Sequence, residues 1–407
     1  MNIFWPCFLV VSCMFSLGSA LLSGKPDVLI ALMEALFDSA KLSIDLLIGL
    51  VGVLCFWLGF FRIIEKTGLV AILARGLSPI FSFLMPSVPK GHAAFEPILL
   101  NVSANFLGLD NAATPMGLKA MQLLQTLNPH PKTLTDPQIL FLVLNTASIT
   151  FFPMTVFMYR AQMGAEVPTD VFLPLLLTSF CATFSAVLLV ICIQKFKERS
   201  LKNVGMLLMA VAVFVALLVL MQSLQVMWWV EKGVWVAPAF LVCFLGGILM
   251  WALYKKINCL DVWVEGAKEG FQLALQMAPY LVAMLVAVGL FRASGLLDAM
   301  VGGIAWCLSE LGMKTDFVGA LPSAIMKTFS GSAARAMMID VLQHDGADSF
   351  VGHLVSMVQG SSETTVYVLT LYTGVIGIQK IRYALYCSLF ADVAAFGFAV
   401  FFARLFF

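Results

Sequence analysis

The sequence predicts an all-α fold: a polytopic helical membrane protein with two pseudo-symmetric repeats, inverted relative to each other, that contain broken or re-entrant helices. Hydrophobic residues make up 61% of the 407 positions and charged residues 12%, whereas roughly a quarter of the residues in soluble domains are charged. The excess apolar surface must therefore face lipid. The apolar runs are long and continuous, which predicts spanning helices and excludes an outer-membrane barrel. A set of landmarks that recurs in the same order predicts the repeats.

The apolar runs divide into full spans and interrupted regions. About nine stretches could cross a membrane as single helices, near 3–22, 43–64, 138–158, 171–194, 204–226, 235–254, 271–292, 351–374 and 384–406. Shorter or interrupted regions lie near 69–86, 95–125, 296–311 and 318–342. No Lys or Arg precedes the first run, so we interpret it as a retained helix and not as a signal peptide, with a lipid anchor at Cys13 as a weaker alternative.

The first landmark of the repeat is a charged helical face. The first half carries Glu34, Asp38, Lys41 and Asp45, and the second half carries Asp261, Glu265, Lys268 and Gln272 at the same spacing. Residues at this spacing share one face of a helix. Each stretch precedes a long apolar span, so each is predicted to form an amphipathic helix that lies on the membrane surface.

Three further landmarks recur in the same order, and they set the predicted domains. They are Phe61-Arg62 with Phe291-Arg292, Asn111–Thr114 with Ser332–Arg335, and Ala147–Thr150 with Ser361–Thr364. We therefore expect a first repeat at 1–200, a linking transmembrane helix at 201–230 and a second repeat at 231–407. The extra span near 204–226 has no counterpart, and it would turn the second repeat over. Duplicated packing elements without a cargo are the alternative.

Polar segments interrupt each repeat. Residues 100–117 are rich in Asn, Asp, Gly and Pro, with Gly108 and Pro115 favouring a break, and residues 321–335 contain Ser330-Gly331-Ser332 between Lys327 and Arg335. A discontinuous helix exposes backbone groups that can coordinate a solute or ion, so we expect the two segments to approach each other in the interior. The alternatives are Asn side chains that only cap helix ends, and Arg335 as an anchor at the membrane interface.

Each broken segment is followed by a span with a polar entrance, around Asn145 and around Glu363. Glu363 lies among hydroxyl side chains, where a proton- or cation-coupling carboxylate would be useful, although a structural ion pair with Arg335 is the alternative. The predicted solute-binding residues are Asn105, Asp110, Asn111, Thr114, Asn145, Ser148, Ser330, Ser332, Arg335, Ser362 and Glu363. Their charges favour, slightly, an anionic or zwitterionic solute.

Several classes of function are disfavoured. The chain has no phosphate-binding G-x-x-x-x-G-K-[ST] loop, no H-E-x-x-H metal motif and no G-x-S-x-G nucleophile motif, so we expect no enzyme, no catalytic residues, no cofactor and no metal site. The nine cysteines form no C-x-x-C pair, and they are interpreted as small apolar residues. A net charge of +1 gives no sign of nucleic-acid binding. The expected partners are a small polar solute and the lipid bilayer, with a homo-oligomer left open.

Longer motifs carry a resemblance to a known family. Residues 105–121 and 144–150 resemble spore maturation protein A, and the motifs at 291–295, 321–324, 330–335 and 360–365 are similar to spore maturation protein B. Both belong to a group with the nucleoside-recognition, or gate, domain, which includes concentrative nucleoside transporters and the membrane part of a ferrous iron transporter. The resemblance implies a transporter-like fold with gate-domain repeats and a role in the cell envelope. Asp110 replaces the usual glycine of the family motif, and no GTPase domain accompanies the chain as it does in the iron transporters.

These observations lead to one functional hypothesis and one alternative. We expect a transporter or facilitator of a small polar solute in the bacterial inner (cytoplasmic) membrane, with its site between two broken-helix segments. The alternative is a non-transporting scaffold or regulator of envelope assembly that keeps the same fold.

Overall fold

The computed structural model describes residues 4–89, 91–196 and 227–407. The described residues form helices and no strand, which confirms the predicted all-α fold. The helices are α1 (Phe4–Ser23), α2 (Asp27–Thr67), α3 (Leu69–Leu84), α4 (Phe95–Phe106), α5 (Asp110–Gln125), α6 (Asp136–Thr146), α7 (Met154–Gln162), α8 (Phe172–Phe196), α9 (Met227–Tyr254), α10 (Cys259–Ala293), α11 (Leu296–Glu310), α12 (Leu321–Phe329), α13 (Gly331–His344), α14 (Phe350–Gly360), α15 (Thr365–Val375) and α16 (Ala384–Phe406), with a 3₁₀ turn at Val318–Ala320. The predicted span near 204–226, and most of the linker at 201–230, lie outside the described residues.

Long apolar helices make the chain a multi-pass membrane protein. Within the described residues, five helices have the length and composition to cross a bilayer, over Trp5–Leu22, Asp27–Thr67, Phe172–Gln194, Cys259–Ala293 and Ala384–Phe406. With 41 residues, α2 is roughly 60 Å long, about twice the thickness of the hydrocarbon core. The charged faces at 34–45 and 261–272 lie inside the N-terminal parts of the continuous helices α2 and α10. The prediction of separate amphipathic helices is therefore wrong, because each charged face continues directly into a span.

Two predicted spans are also wrong. The apolar stretch at 138–158 is interrupted between α6 and α7, and the stretch at 351–374 is interrupted between α14 and α15. Pro153 ends the first interruption, since proline lacks an N–H group and restricts the residue before it. The second consists of Ser361-Ser362-Glu363-Thr364, whose hydroxyl groups compete with the backbone for hydrogen bonds.

Two of the four shorter or interrupted regions are short continuous helices. These are α3 and α11, and each follows a glycine in the left-handed conformation, Gly68 (φ 73°) and Gly295 (φ 79°). Glycine adopts this conformation at little cost, so the chain turns sharply after the preceding long helix. The two glycines occupy equivalent places in the repeats, next to the Phe-Arg landmark.

The repeat extends to the order of the helices. The series α2 to α8 and α10 to α16 each contain a long helix, a helix after a left-handed glycine, two helix pairs separated by a break, and a final long helix. The predicted breaks in the first pair occur at Leu107–Leu109 and at Ser330. Pro115, which was expected to favour interruption, lies inside α5.

The long helices α2 and α10 pack antiparallel, which gives the repeats opposite orientations. Near one end of the pair, Gly289 lies against Ser39, and near the other end Gly59 lies against Trp263. Between these points Gly270 lies against Cys55. Small residues allow helix backbones to approach closely inside a membrane. Equivalent helices that run in opposite directions are the signature of inverted repeats.

The chain divides into two compact units that exchange helices between the repeats. Unit 1 consists of Met1–Ile63, Thr155–Pro168 and Lys256–Gln359, and unit 2 consists of Ile64–Met154, Thr169–Lys255 and Gly360–Phe407. Unit 1 therefore contains α7 and most of α2 from the first repeat, and unit 2 contains α15 and α16 from the second. Each unit is completed by the second half of a broken helix that begins in the other unit.

The glycine contacts between α2 and α10 give a first testable prediction. A Cβ atom at Gly270 would lie 2.8 Å from the Cα of Cys55 and from the carbonyl oxygen of Leu54, which are backbone atoms that cannot rotate away. Gly270→Ala should therefore lower the free energy of unfolding by about 2 kcal/mol. A Cβ at Gly302, on α11, would meet nothing within 4 Å, so Gly302→Ala should be neutral or slightly stabilising. Thermal unfolding of the purified variants in detergent checks this, and equal midpoints would contradict the packing.

Candidate functional site

In unit 2 the two breaks of the first repeat meet. α4 ends at Phe106, and Gly108 turns the chain with φ 73° into α5. A Cβ at Gly108 would lie 2.9 Å from the carbonyl oxygen of Phe152. The backbone N–H of Phe151 donates to the carbonyl oxygen of Phe106 at 2.8 Å. The unpaired groups of one interruption are thus partly satisfied by the other.

A buried amide cluster lies beside these breaks. Asn105 Nδ2 donates to Asn145 Oδ1 at 3.0 Å, and the hydroxyl of Tyr372 donates to the same oxygen at 3.3 Å. Asn101 Nδ2 donates to the carbonyl oxygen of Ala113 at 2.8 Å. The structure therefore brings together two predicted residues, Asn105 and Asn145, and adds Asn101 and Tyr372. The Oδ1 atom of Asn101 is buried without a hydrogen-bond partner among the described residues.

The backbone of Glu363 contacts α6 in unit 2. Its N–H donates to the carbonyl oxygen of Thr146 at 2.9 Å, so the break of the second repeat caps the C-terminal end of α6. The hydroxyl of Thr146 donates to Ser388 Oγ, on α16, at 3.1 Å. Ser148 and Ser362 are buried, and the carboxyl side chain of Glu363 is partly buried. Ser362 and the backbone of Glu363, from the break between α14 and α15, therefore lie in the interior of unit 2.

In unit 1 the break is made by serine instead of glycine. Ser330 adopts an extended backbone and caps α13, because its Oγ accepts from the N–H of Ala333 at 3.3 Å. Ser330 Oγ also lies 3.2 Å from Ser332 Oγ. On the preceding helix, Ser323 Oγ donates to the carbonyl oxygen of Ala334 at 3.2 Å, which ties α12 to α13. The predicted Ser330 and Ser332 therefore act together at the interruption.

Contacts at equivalent positions recur in the two units. Asn101 donates to the carbonyl oxygen of Ala113 in unit 2, as Ser323 donates to that of Ala334 in unit 1. Asn105 donates to Asn145 in unit 2. At the equivalent place in unit 1, Lys327 Nζ donates to the carbonyl oxygen of Gln359 at 2.8 Å. The duplicated landmarks thus correspond to duplicated hydrogen bonds, with amides in one unit and a buried lysine in the other.

The swapped helix α7 contributes aromatic and charged groups to unit 1. Tyr159 is buried near Arg335, and its hydroxyl makes no hydrogen bond among the described residues. Arg335 Nε donates to the carbonyl oxygen of Gly331 at 3.2 Å. Arg160 is fully buried, with Nη1 donating to the carbonyl oxygen of Ala347 at 2.7 Å and Nη2 pairing with Asp348 at 3.0 Å.

No sequence pattern distinguishes Tyr159, Arg160 and Tyr372 from ordinary packing residues. Each lies inside a short helix whose partners come from the other repeat. Asn101 and Lys327 did carry a signal, as polar residues within the interrupted apolar segments.

Some predicted positions stay predictions. The side chains of Asp110 and Asn111 lie outside the described part of the structure, and Thr114 is partly buried. The segments around Asn105 and around Arg335 belong to different units. Their predicted approach therefore stays a prediction, as do the proposed domain boundaries.

A separate cavity of about 450 Å³ opens in unit 2. Its lining includes the loop residues Asn128, His130 and Arg382 and the first residue of α6, Asp136. Arg382 Nη1 pairs with Asp136 at 2.7 Å and donates to the carbonyl oxygen of Leu134 at 3.0 Å. None of the predicted solute-binding residues lines this cavity, which lies where α6 and α16 begin.

Comparison with known proteins agrees with this architecture. The family model described as Gate, nucleoside recognition, matches residues 47–196 and 274–379. The chain is 41% identical over 159 residues to spore maturation protein B of Bacillus subtilis (strain 168), covering 39% of this chain and 88% of that protein. It is 38% identical over 188 residues to spore maturation protein A of the same organism, covering 46% of this chain and 92% of that protein. No solved structure matches the chain. The chain therefore belongs to the Gate, or nucleoside recognition, family, as a fused membrane protein of the spore maturation protein A and B type.

Proposed function

We propose that the protein is a transporter or facilitator that carries a small polar solute across the bacterial cytoplasmic membrane, without enzymatic chemistry. The observation that carries this proposal is the conjunction of spanning helices with broken helices at equivalent places in both repeats. Irregular backbone is tolerated at membrane depth only where it is buried in protein or lines a hydrated cavity. Inverted repeats that place such breaks at equivalent positions are a common plan for solute sites in transporters.

The polar groups beside the breaks support the same proposal. Asn101, Asn145 and Tyr372 form a buried network in unit 2, and the Oδ1 of Asn101 has no partner within the described residues. An unsatisfied buried acceptor costs about 1–3 kcal/mol, and a solute or water that donates a hydrogen bond would recover this energy. The description of the family model, nucleoside recognition, is compatible with such amide donors and acceptors.

A second candidate function is a scaffold or regulator of envelope assembly that performs no transport. The observation in its favour is that the two relatives are named for spore maturation and not for a cargo. In this case side chains of the protein would fill the space beside the helix breaks. The units would then bind other envelope components.

Uptake by purified protein tests the proposal. The protein is reconstituted in liposomes, which are incubated with a mixture of small polar metabolites under a proton gradient, a sodium gradient or no gradient. We expect mass spectrometry of the washed liposomes to show a narrow set of enriched solutes relative to protein-free liposomes. If liposomes with the folded protein contain the same solutes as protein-free liposomes under all three conditions, transport is excluded and the scaffold function is favoured.

A further inference from the structure

One arginine of unit 1 differs from the other three in its hydrogen-bond partners. Unit 1 contains the arginines Arg62, Arg160, Arg292 and Arg335. Three of them pair with a carboxylate of the same unit: Arg62 with Glu265 at 2.6 Å, Arg160 with Asp348 at 3.0 Å and Arg292 with Asp340 at 2.5 Å. Within the described residues of unit 1, Arg335 has no carboxylate partner, and its polar neighbours are the carbonyl oxygen of Gly331 and Tyr159.

A second cation lies on the preceding helix. Lys327 is only 6% exposed, and its ammonium group donates to the carbonyl oxygen of Gln359 at the C-terminal end of α14. Lys327 and Arg335 flank the break at Ser330, where α13 begins. The N-terminus of a helix carries partial positive charge, which adds to that of the two side chains.

The equivalent positions of unit 2 are neutral. Asn105 stands where unit 1 has Lys327, and Thr114 stands where unit 1 has Arg335, when the break in unit 2 is allowed one extra residue. A helix break and a hydrogen bond between the two short helices occur in both units, as Asn101 and Ser323 show, although Gly108 makes the break in unit 2 and Ser330 makes it in unit 1. Because neutral residues accompany the break in unit 2, a broken helix of this kind does not itself require cations. The charges of Lys327 and Arg335 therefore call for another explanation.

We propose that unit 1 holds an anion-binding site in which Arg335, assisted by Lys327 and the N-terminus of α13, binds a carboxylate or phosphate group. Arginine suits this role because its planar guanidinium can bind both oxygens of such a group at once. The inference rests on the proposed function, since it identifies the transported solute as anionic or zwitterionic, with its negative group read by unit 1.

Binding of simple anions to the intact protein tests the site without any transport. The protein is placed in nanodiscs of phosphatidylcholine, and its unfolding temperature is followed while inorganic phosphate or succinate is added at constant ionic strength. Glycerol and choline serve as neutral and cationic probes. We expect an increase with the anions only, and Arg335→Ala should weaken the anion binding at least about tenfold.

Three further variants separate a binding role from a structural one. Arg335→Lys keeps the charge but loses the planar fork, so it should restore binding only in part. Lys327→Met should weaken anion binding without abolishing it. Arg75→Ala removes an exposed arginine of α3 whose hydrogen bond, among the described residues, is to the carbonyl oxygen of Ala71 in the same helix, and it should bind anions like the wild type. If Arg335→Ala does not fold, Arg335→Lys and Lys327→Met still decide the question.

Several outcomes would overturn the proposal. Equal stabilisation by anionic and neutral probes would do so, as would full anion binding by Arg335→Ala. A third is that the wild type binds no anion and Glu363→Gln does, which would make the carboxylate of Glu363 the counter-ion.

Two additional comparisons identify the source of the anion and keep the two proposals apart. Nanodiscs containing phosphatidylglycerol distinguish a lipid phosphate from a soluble anion. If this lipid stabilises the protein and excess inorganic phosphate does not compete with it, the site binds lipid and the solute role is excluded. Anion binding without uptake in liposomes would uphold the site and exclude transport. Uptake of a neutral solute without anion binding would uphold transport and exclude the anion site.

Discussion

Replacing Arg160 with alanine should destabilise unit 1 far more than replacing the exposed Arg62 of the same unit. The Arg160 side chain is fully buried and bonds to the carbonyl oxygen of Ala347 and the carboxylate of Asp348. Removing it leaves the carbonyl without its partner and opens a cavity of arginine size. The Asp348 carboxylate is 39% exposed and stays hydrated without its partner, so the cost comes from the cavity and the unpaired carbonyl. A large-to-small substitution in a core costs about 2–5 kcal/mol, which is a large part of the stability of a typical domain. We expect poor yield and a strongly lowered unfolding temperature in detergent.

An exposed ion pair in the same unit provides the control. Arg62 and Glu265 lie 2.6 Å apart, with 30% and 51% of their side chains exposed. Exposed pairs contribute about 0–1 kcal/mol, so Arg62→Ala should have a small effect. If both variants unfolded at the same temperature, the assignment of α7 to unit 1 would be wrong, because Arg160 is the main polar tie between that helix and the loop at Ala347–Asp348.

The anchoring of α7 by Arg160 also shows why the sequence predicts some of the architecture and not the rest. Composition predicts a helical membrane protein, because no other fold satisfies the backbone in lipid. The repeated landmarks predict two repeats, and the glycine and serine runs predict the breaks at Gly108 and Ser330. The exchange of α7 and α15 between the units is not predictable from these patterns, since it is decided by contacts between residues that are far apart in sequence.

Only part of the candidate site is predictable from the sequence, because some of its residues come from the distant helix α15. Asn105 and Asn145 stand out as amides in apolar surroundings, and they form a hydrogen bond. Tyr372 completes that cluster from α15, where a tyrosine within an apolar helix resembles an ordinary packing residue. The interruptions at 147–153 and at 361–364 were missed because hydropathy is averaged over a length greater than the break, so flanking apolar residues conceal a few hydroxyl groups.

Glu363→Gln should separate a coupling role from a structural one. The contact of Glu363 with α6 is made by its backbone N–H, which donates to the carbonyl oxygen of Thr146. A glutamine keeps that N–H and nearly the same side-chain shape, so the unfolding temperature should change little. The lost feature is the ability to bind and release a proton in a partly buried position, where intramembrane carboxylates commonly serve in proton relays. We therefore expect solute accumulation driven by a proton gradient to fall to the level of protein-free liposomes, while exchange of solute across the membrane continues.

The control for this prediction is a second carboxylate of unit 2. Glu96 lies in the first turn of α4 and is exposed, so Glu96→Gln should keep both gradient-driven uptake and exchange. If Glu363→Gln instead lowered the unfolding temperature by an amount that corresponds to several kcal/mol, its carboxylate would be part of a structural ion pair. Unchanged accumulation with unchanged stability would remove Glu363 from the solute pathway. The amide cluster at Asn145 would then be the better place to look for the site, because its hydrogen bonds do not depend on that carboxylate.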